Sequence, residues 1–180
     1  MVVRVRYVCY PVTTLGPGER LGIWVSGCSR SCPGCMSPEL RESVATDEVP
    51  VDELLGAVRS RRDRYDGVTI SGGEPFDQAA ELAELVRGLH ELTDHVLVYT
   101  GYRREELEAD ASRAAALEGV DVLIDGPYER GLDDGRGIRG SANQRVWRLS
   151  ANAGDFDYEG AERATQSFVF DDVVFMAGLT

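Results

Sequence analysis

Residues 66–102 read DGVTISGGEPFDQAAELAELVRGLHELTDHVLVYTGY, and the fold turns on how this stretch divides. DGVTISGG (66–73) is a short β-branched run ending in glycines, which predicts a strand entering a tight turn. FDQAAELAELVRGLHEL (76–92) switches to the spacing of an amphipathic helix, and DHVLVYTGY (94–102) returns to a strand that closes on Gly101. The alternation continues downstream: REELEADASRAAALE (104–118) is helix-forming, and GVDVLIDGPY (119–128) is a third strand, again closed by a glycine. Strands rich in valine and isoleucine that alternate with such helices predict an α/β fold with a parallel sheet or barrel, joined by right-handed crossovers.

The flanks extend the pattern. Val2–Tyr10 alternates like a half-exposed strand, TLGPGER (14–20) is turn-rich, and LGIWVSG (21–27) is a short run suited to a buried strand. DEVPVDELLGAVRSRR (47–62) places Leu54, Leu55 and Val58 at helical spacing, with a start expected at Asp47 or near Pro50. RGLDDGRGIRGSANQR (130–145) is glycine-rich and charged and is expected to be a long loop; such loops in compact domains are commonly functional. VWRLS (146–150) and SFVFDDVVFMAG (167–178) have the composition of closing strands. A single domain is expected over 1–180, with its core in about 20–150 and a C-terminal strand or hairpin at about 165–178.

The chain has 19 basic against 31 acidic residues, a net charge of -12. That surface repels nucleic acid backbones and anionic membranes, so neither is expected as a partner. No run approaches the roughly 18 apolar residues of a membrane span, and MVVRVRYVCY (1–10) lacks the apolar core of a signal peptide. A cytoplasmic location is expected, where clustered cysteines are metal ligands or redox groups before they are structural disulfides. There is no lysine, so no Schiff base or lysine general base is available.

Three of the four cysteines fall in GCSRSCPGC (27–35): Cys28, Cys32 and Cys35, spaced C-x3-C-x2-C directly after a predicted strand. Thiolates hold iron–sulfur clusters, and a 4Fe–4S cubane normally takes four, so three leave one iron open to an outside molecule. Gly27 and Gly34 permit unusual backbone angles, and Pro33 prevents a continuous helix. A structural zinc site would need a fourth ligand from Cys9, His90 or His95, all distant in sequence. A redox dithiol is the other alternative, although no C-x-x-C stands at a thioredoxin-like helix start. Cys9, in the first strand, is expected to be a buried free thiol.

SGGEP (71–75) lies at the C-terminal end of its strand, where parallel α/β folds bind ligands. Gly72 and Gly73 allow close approach of a ligand to the backbone, and Glu74 offers a carboxylate for an ammonium group. It is neither a phosphate loop nor a dinucleotide fingerprint.

The pairing of C-x3-C-x2-C with a strand ending in Gly-Gly-Glu resembles the radical S-adenosylmethionine (SAM) superfamily. Over TLGPGERLGIWVSGCSRSCPGC (14–35), TISGGEPFDQ (69–78), LVYTGY (97–102), DVLIDGPYE (121–129) and RGSANQR (139–145), the chain is similar to the glycyl-radical-enzyme activases. Within that group it resembles those of anaerobic ribonucleotide reductases. The resemblance spans about residues 9–149 and implies a partial, open parallel β/α barrel.

By that resemblance Cys28, Cys32 and Cys35 would hold three irons of a 4Fe–4S cluster, and SAM would chelate the fourth. Gly72, Gly73 and Glu74 would meet the SAM amino end, with Thr100 and Gly101 beside the same cofactor; Thr100 could equally cap the following helix. Asp125 would orient SAM, face the partner or cap its own turn. Arg139, Asn143, Gln144 and Arg145 would contact SAM or the partner, or form a solvated loop. Trp24 is expected in the core, and His90 and His95 at the surface.

The implied chemistry is reductive cleavage of SAM to methionine and a 5′-deoxyadenosyl radical, which takes a hydrogen from a glycine of a large partner enzyme. A flavodoxin or ferredoxin would supply the electron. The chain departs from the family pattern at Met36-Ser37, where an aromatic or histidine and then asparagine are usual. Two alternatives keep part of this reading: SAM chemistry on a small molecule or peptide, and a non-enzymatic electron-transfer or cluster-carrier protein.

Overall fold

The computed structural model describes residues 1–61, 65–171 and 173–179. Nine strands and four α-helices form among them: β1 Val2–Val12, β2 Arg20–Val25, β3 Glu48–Pro50, α1 Val51–Ser60, β4 Gly67–Gly72, α2 Ala79–Leu89, β5 Val96–Tyr99, α3 Arg104–Glu108, α4 Ala111–Leu117, β6 Val122–Asp125, β7 Arg145–Arg148, β8 Thr165–Phe170 and β9 Val173–Gly178. Strands one to seven make one sheet in the order β3-β1-β2-β4-β5-β6-β7. The central four, β2, β4, β5 and β6, are parallel, while β1, β3 and β7 join antiparallel. The sheet is open, with β3 and β7 as its edges.

The order of the parallel strands decides where the helices go. Each crossover from β2 to β6 steps one strand in the same direction, so right-handed connections place every helix on one face. That face buries Leu54, Leu55, Leu82, Leu85, Val86 and Leu89 against Ile23, Ile70, Val98 and Leu123. Among the described residues the opposite face has no α-helix. Trp24, Leu97, Val122 and Ile124 are covered there by Ile138 and Tyr158 from the long C-terminal segment and by Phe175 and Leu179 from the last strand region. Hairpin β8–β9 forms its own two-stranded sheet and does not extend the main one. Phe175 packs on Tyr7 and Trp24, with ring centroids 4.3 and 4.8 Å apart.

Several local expectations shift for identifiable reasons. The first helix starts after Pro50, the second of the two expected starts, and Asp47 lies apart in a short 3-10 turn, where its carboxylate accepts from Arg6 Nε at 2.6 Å and Ser26 Oγ at 2.6 Å. Arg62 at the end of that predicted stretch, and Asp172 within the predicted closing strands, lie outside the described residues. The stretch 104–118 divides into two helices because Asp110 caps a new one, accepting from the amides of Ser112 and Arg113. His95 is not a surface residue: it is 8% exposed, with Nδ1 2.9 Å from Nη2 of the fully buried Arg20 and Nε2 3.0 Å from the Tyr158 hydroxyl. Burial and the neighbouring Arg20 lower its pKa, so the ring favours its neutral form. Cys9 is a buried free thiol, and Trp24 is in the core. Among the described residues no helix is long and apolar enough to cross a membrane.

Candidate functional site

Four parallel strands end at one edge of the sheet, and each leads into the same pocket. β2 continues into Cys28, β4 ends at Gly72 and leads to Gly73 and Glu74, β5 leads to Thr100 and Gly101, and β6 to Gly126; all of these line the pocket, together with Cys32 and Cys35. This is the ligand-binding edge of parallel α/β architectures.

The cysteine loop and the Gly-Gly-Glu turn are built against each other. Gly73 N–H donates to Val25 O at 2.8 Å and Glu74 N–H to Gly27 O at 2.9 Å; Gly27 and Cys28 N–H donate to the carbonyls of Leu40 and Arg41 at 2.9 and 3.0 Å. The two backbones lie so close that side chains are excluded. A Cβ on Gly72, whose φ is +116°, would stand 2.2 Å from Val25 O, and one on Gly73 would stand 2.2 Å from Gly27 O. The two glycines therefore have a packing role that the sequence reading, which saw only ligand approach, did not include.

Glu74 is 1% exposed yet reaches the pocket wall. Its Oε1 accepts from Phe76 N–H at 3.0 Å and from the Thr100 hydroxyl at 2.7 Å, and Oε2 from Gly101 N–H at 2.7 Å. Burial pushes its pKa up to about 7, against these bonds, which favour the ionised form. Thr100 does two jobs, because its Oγ1 also accepts from Tyr102 N–H at 3.1 Å. Burial likewise pushes the Cys28 thiol up to about 11.

The remaining expected residues are placed differently. Asp125 is fully buried and is not among the residues lining the pocket; it accepts from Arg104 N–H at 2.6 Å and from Arg145 Nε at 2.9 Å. Arg145 also donates to both oxygens of Glu105, so this part of the long loop ends in an ion-pair cluster. Arg139 pairs with Asp134 at 2.9 Å, and Asn143 Nδ2 donates to Pro127 O at 2.8 Å, both outside the pocket lining. Gln144 does line it, and its amide ties the loop down, donating to Gly126 O at 2.9 Å and accepting from Gly140 N–H at 2.8 Å. Met36 and Ser37, where the sequence departs from the pattern, both border the pocket. Met176 and Leu179 complete the wall from a part of the chain that carries no local signal for it.

The donor set discriminates between metal groups. Among the described residues no three His, Cys, Asp or Glu side chains converge as they would on a single ion. Three free thiols nevertheless share one pocket wall. A 4Fe–4S cluster takes each thiolate on a different iron, and three free thiols on one pocket wall suit that donor set.

Comparison with known proteins agrees. Residues 14–147 match the family model described as a 4Fe-4S single cluster domain. The chain is 36% identical over 154 residues to the anaerobic ribonucleoside-triphosphate reductase-activating protein of Pasteurella multocida, covering 80% of this chain and 98% of that protein. The proteins of the same name from Salmonella typhi and Escherichia coli K12 are 33% and 31% identical over 149 residues, covering 78% of this chain and 96% of each. On identity and coverage together, the chain belongs to the family of anaerobic ribonucleoside-triphosphate reductase-activating proteins.

Proposed function

We propose that this protein is a radical SAM activase that installs a glycyl radical on an anaerobic ribonucleotide reductase. The observation that carries the reading is the joining of Cys28, Cys32 and Cys35 with Gly72-Gly73-Glu74 in one pocket, where Gly73 and Glu74 N–H donate to the carbonyls of Val25 and Gly27, in a chain of this family. Held by Cys28, Cys32 and Cys35, a 4Fe–4S cluster would pass on one electron for the reductive cleavage of SAM to methionine and a 5′-deoxyadenosyl radical.

The chain's own residues hold, orient and shield. Cys28, Cys32 and Cys35 are the cluster ligands, and iron must displace the proton of each thiol that it binds. Glu74 meets the SAM ammonium: three donors already fix its carboxylate, and its oxygens retain capacity for one more. A cation there also favours the ionised form of a carboxyl that burial has raised. Gly72, Gly73, Thr100 and Gly101 complete that end of the cofactor site. Asp125 acts at one remove, holding Arg145 and the start of α3 behind the loop that carries Asn143 and Gln144, while Arg139 and Asn143 shape that loop's outer side. The one-sided placement of the helices supports a half-barrel of the radical SAM type, formed by one domain over 1–180. A flavodoxin or ferredoxin supplies the electron.

Anaerobic reconstitution with iron and sulfide, followed by dithionite and SAM, is expected to yield 5′-deoxyadenosine. A fully loaded protein that forms none overturns the reading.

A further inference from the structure

The cysteine loop has a third anchor that neither the thiols nor the Gly-Gly-Glu turn explains. Asp77 lies in the 3-10 turn Pro75–Gln78 and reaches back to Ser29, next to Cys28. Its Oδ2 accepts from Ser29 N–H at 2.6 Å, and its Oδ1 accepts from the Ser29 hydroxyl at 2.9 Å. The same Oδ1 accepts from the Tyr102 hydroxyl at 2.8 Å, and Arg113 Nη2 donates to that hydroxyl at 2.9 Å. The guanidinium carbons of Arg30 and Arg113 lie 4.5 and 4.2 Å from the centre of the Tyr102 ring. A continuous network thus runs from α4 through the turn after β5 and the turn before α2 to the residue beside Cys28.

The consequence is local and mechanical. Cys28 N–H is fixed on Arg41 O, and the following amide, Ser29 N–H, is fixed on Asp77. With the amides on both sides of its Cα held, Cys28 has little freedom in backbone direction, and that direction aims its Sγ. Bonds to a carboxylate are the stronger kind, suited to holding a loop against the pull of a bound group.

We propose that Asp77, braced by Tyr102 and Arg113, is a positioning residue for Cys28 and hence for the group the three cysteines hold. The inference rests on the reading of those cysteines as cluster ligands. It concerns how the first ligand is aimed, not which residues bind.

The test compares wild type with Asp77→Ala, Asp77→Asn and Tyr102→Phe, each reconstituted anaerobically with iron and sulfide. The readouts are the rate of iron loss to a chelator and the EPR spectrum of the reduced cluster; unfolding of the metal-free proteins checks the fold. Asp77→Ala is expected to lose iron about tenfold faster, the scale of removing an outer-shell partner of a metal ligand, with a broadened EPR signal. Asp77→Asn, which keeps one acceptor oxygen, and Tyr102→Phe, which keeps the ring, are expected to fall between. Wild-type rate and spectrum in Asp77→Ala overturn the proposal; if that variant does not fold, wild-type behaviour in both of the others does so. Failure of wild type to take up iron and sulfide overturns the underlying cluster reading and this inference with it. Equal retention in a loaded protein overturns the role of Asp77 alone.

Discussion

A buried carboxylate has to be held by donors, and Glu74 is held by three. The cost of burial still shows in its pKa, raised to about 7 from 4.5. In the metal-free protein the folded state therefore binds this proton more tightly than the unfolded state does. That contribution to stability is fully present below the unfolded value of 4.5 and is lost as pH rises through about 7. Glu74→Gln is expected to flatten stability against pH over this window. Denaturation midpoints of the metal-free protein at about pH 5 and about pH 8 check it, and an unchanged pH difference contradicts the assignment. The role of Glu74 toward an ammonium could be read from its place after a strand. Its bonds to Thr100 and Gly101 could not, because they join strand ends about 25 residues apart and depend on how β4 and β5 align.

At the scale of elements, the β–helix alternation of 66–128 was legible because each apolar run ends in a glycine that stops it. The parallel core β2-β4-β5-β6 follows that pattern. Less legible were features in which a polar side chain overrides an apolar pattern. Asp110 splits one predicted helix into α3 and α4, and Arg20 draws His95 inward through a buried hydrogen bond. The contact between β4 and the cysteine loop belongs to this scale too. Gly73→Ala places a methyl against the backbone of Gly27 and Leu40, where no flexible side chain can yield. It is expected to cost about 1–3 kcal/mol, the range for overpacking a tight site, and to lower iron uptake on reconstitution. Gly131→Ala, with nothing within 4 Å of the added methyl, is expected to change neither. Thermal unfolding and iron analysis of the two variants side by side check the difference.

The whole molecule divides its labour between two faces. The α-helices cover one side of the open sheet; among the described residues the other side is closed by the long loop, by Tyr158 and by the C-terminal hairpin. The sequence carried the first arrangement in its periodicity and left the second unread, since Phe175 and Leu179 reach Trp24's side of the sheet from some 150 residues away. The three cysteines, two glycines and Glu74 were legible as a set because their spacing is local. Met176 and Leu179 at the pocket wall were not, because only the fold brings them there. In the proposed reaction this pocket generates a radical for a partner protein's glycine. It is tested most directly by mixing the reduced, cluster-loaded protein with SAM and the large subunit of an anaerobic ribonucleotide reductase, then recording the EPR spectrum. A glycyl radical doublet that requires Cys28, Cys32 and Cys35 is expected; formation of 5′-deoxyadenosine with no doublet on the reductase would overturn the proposed function.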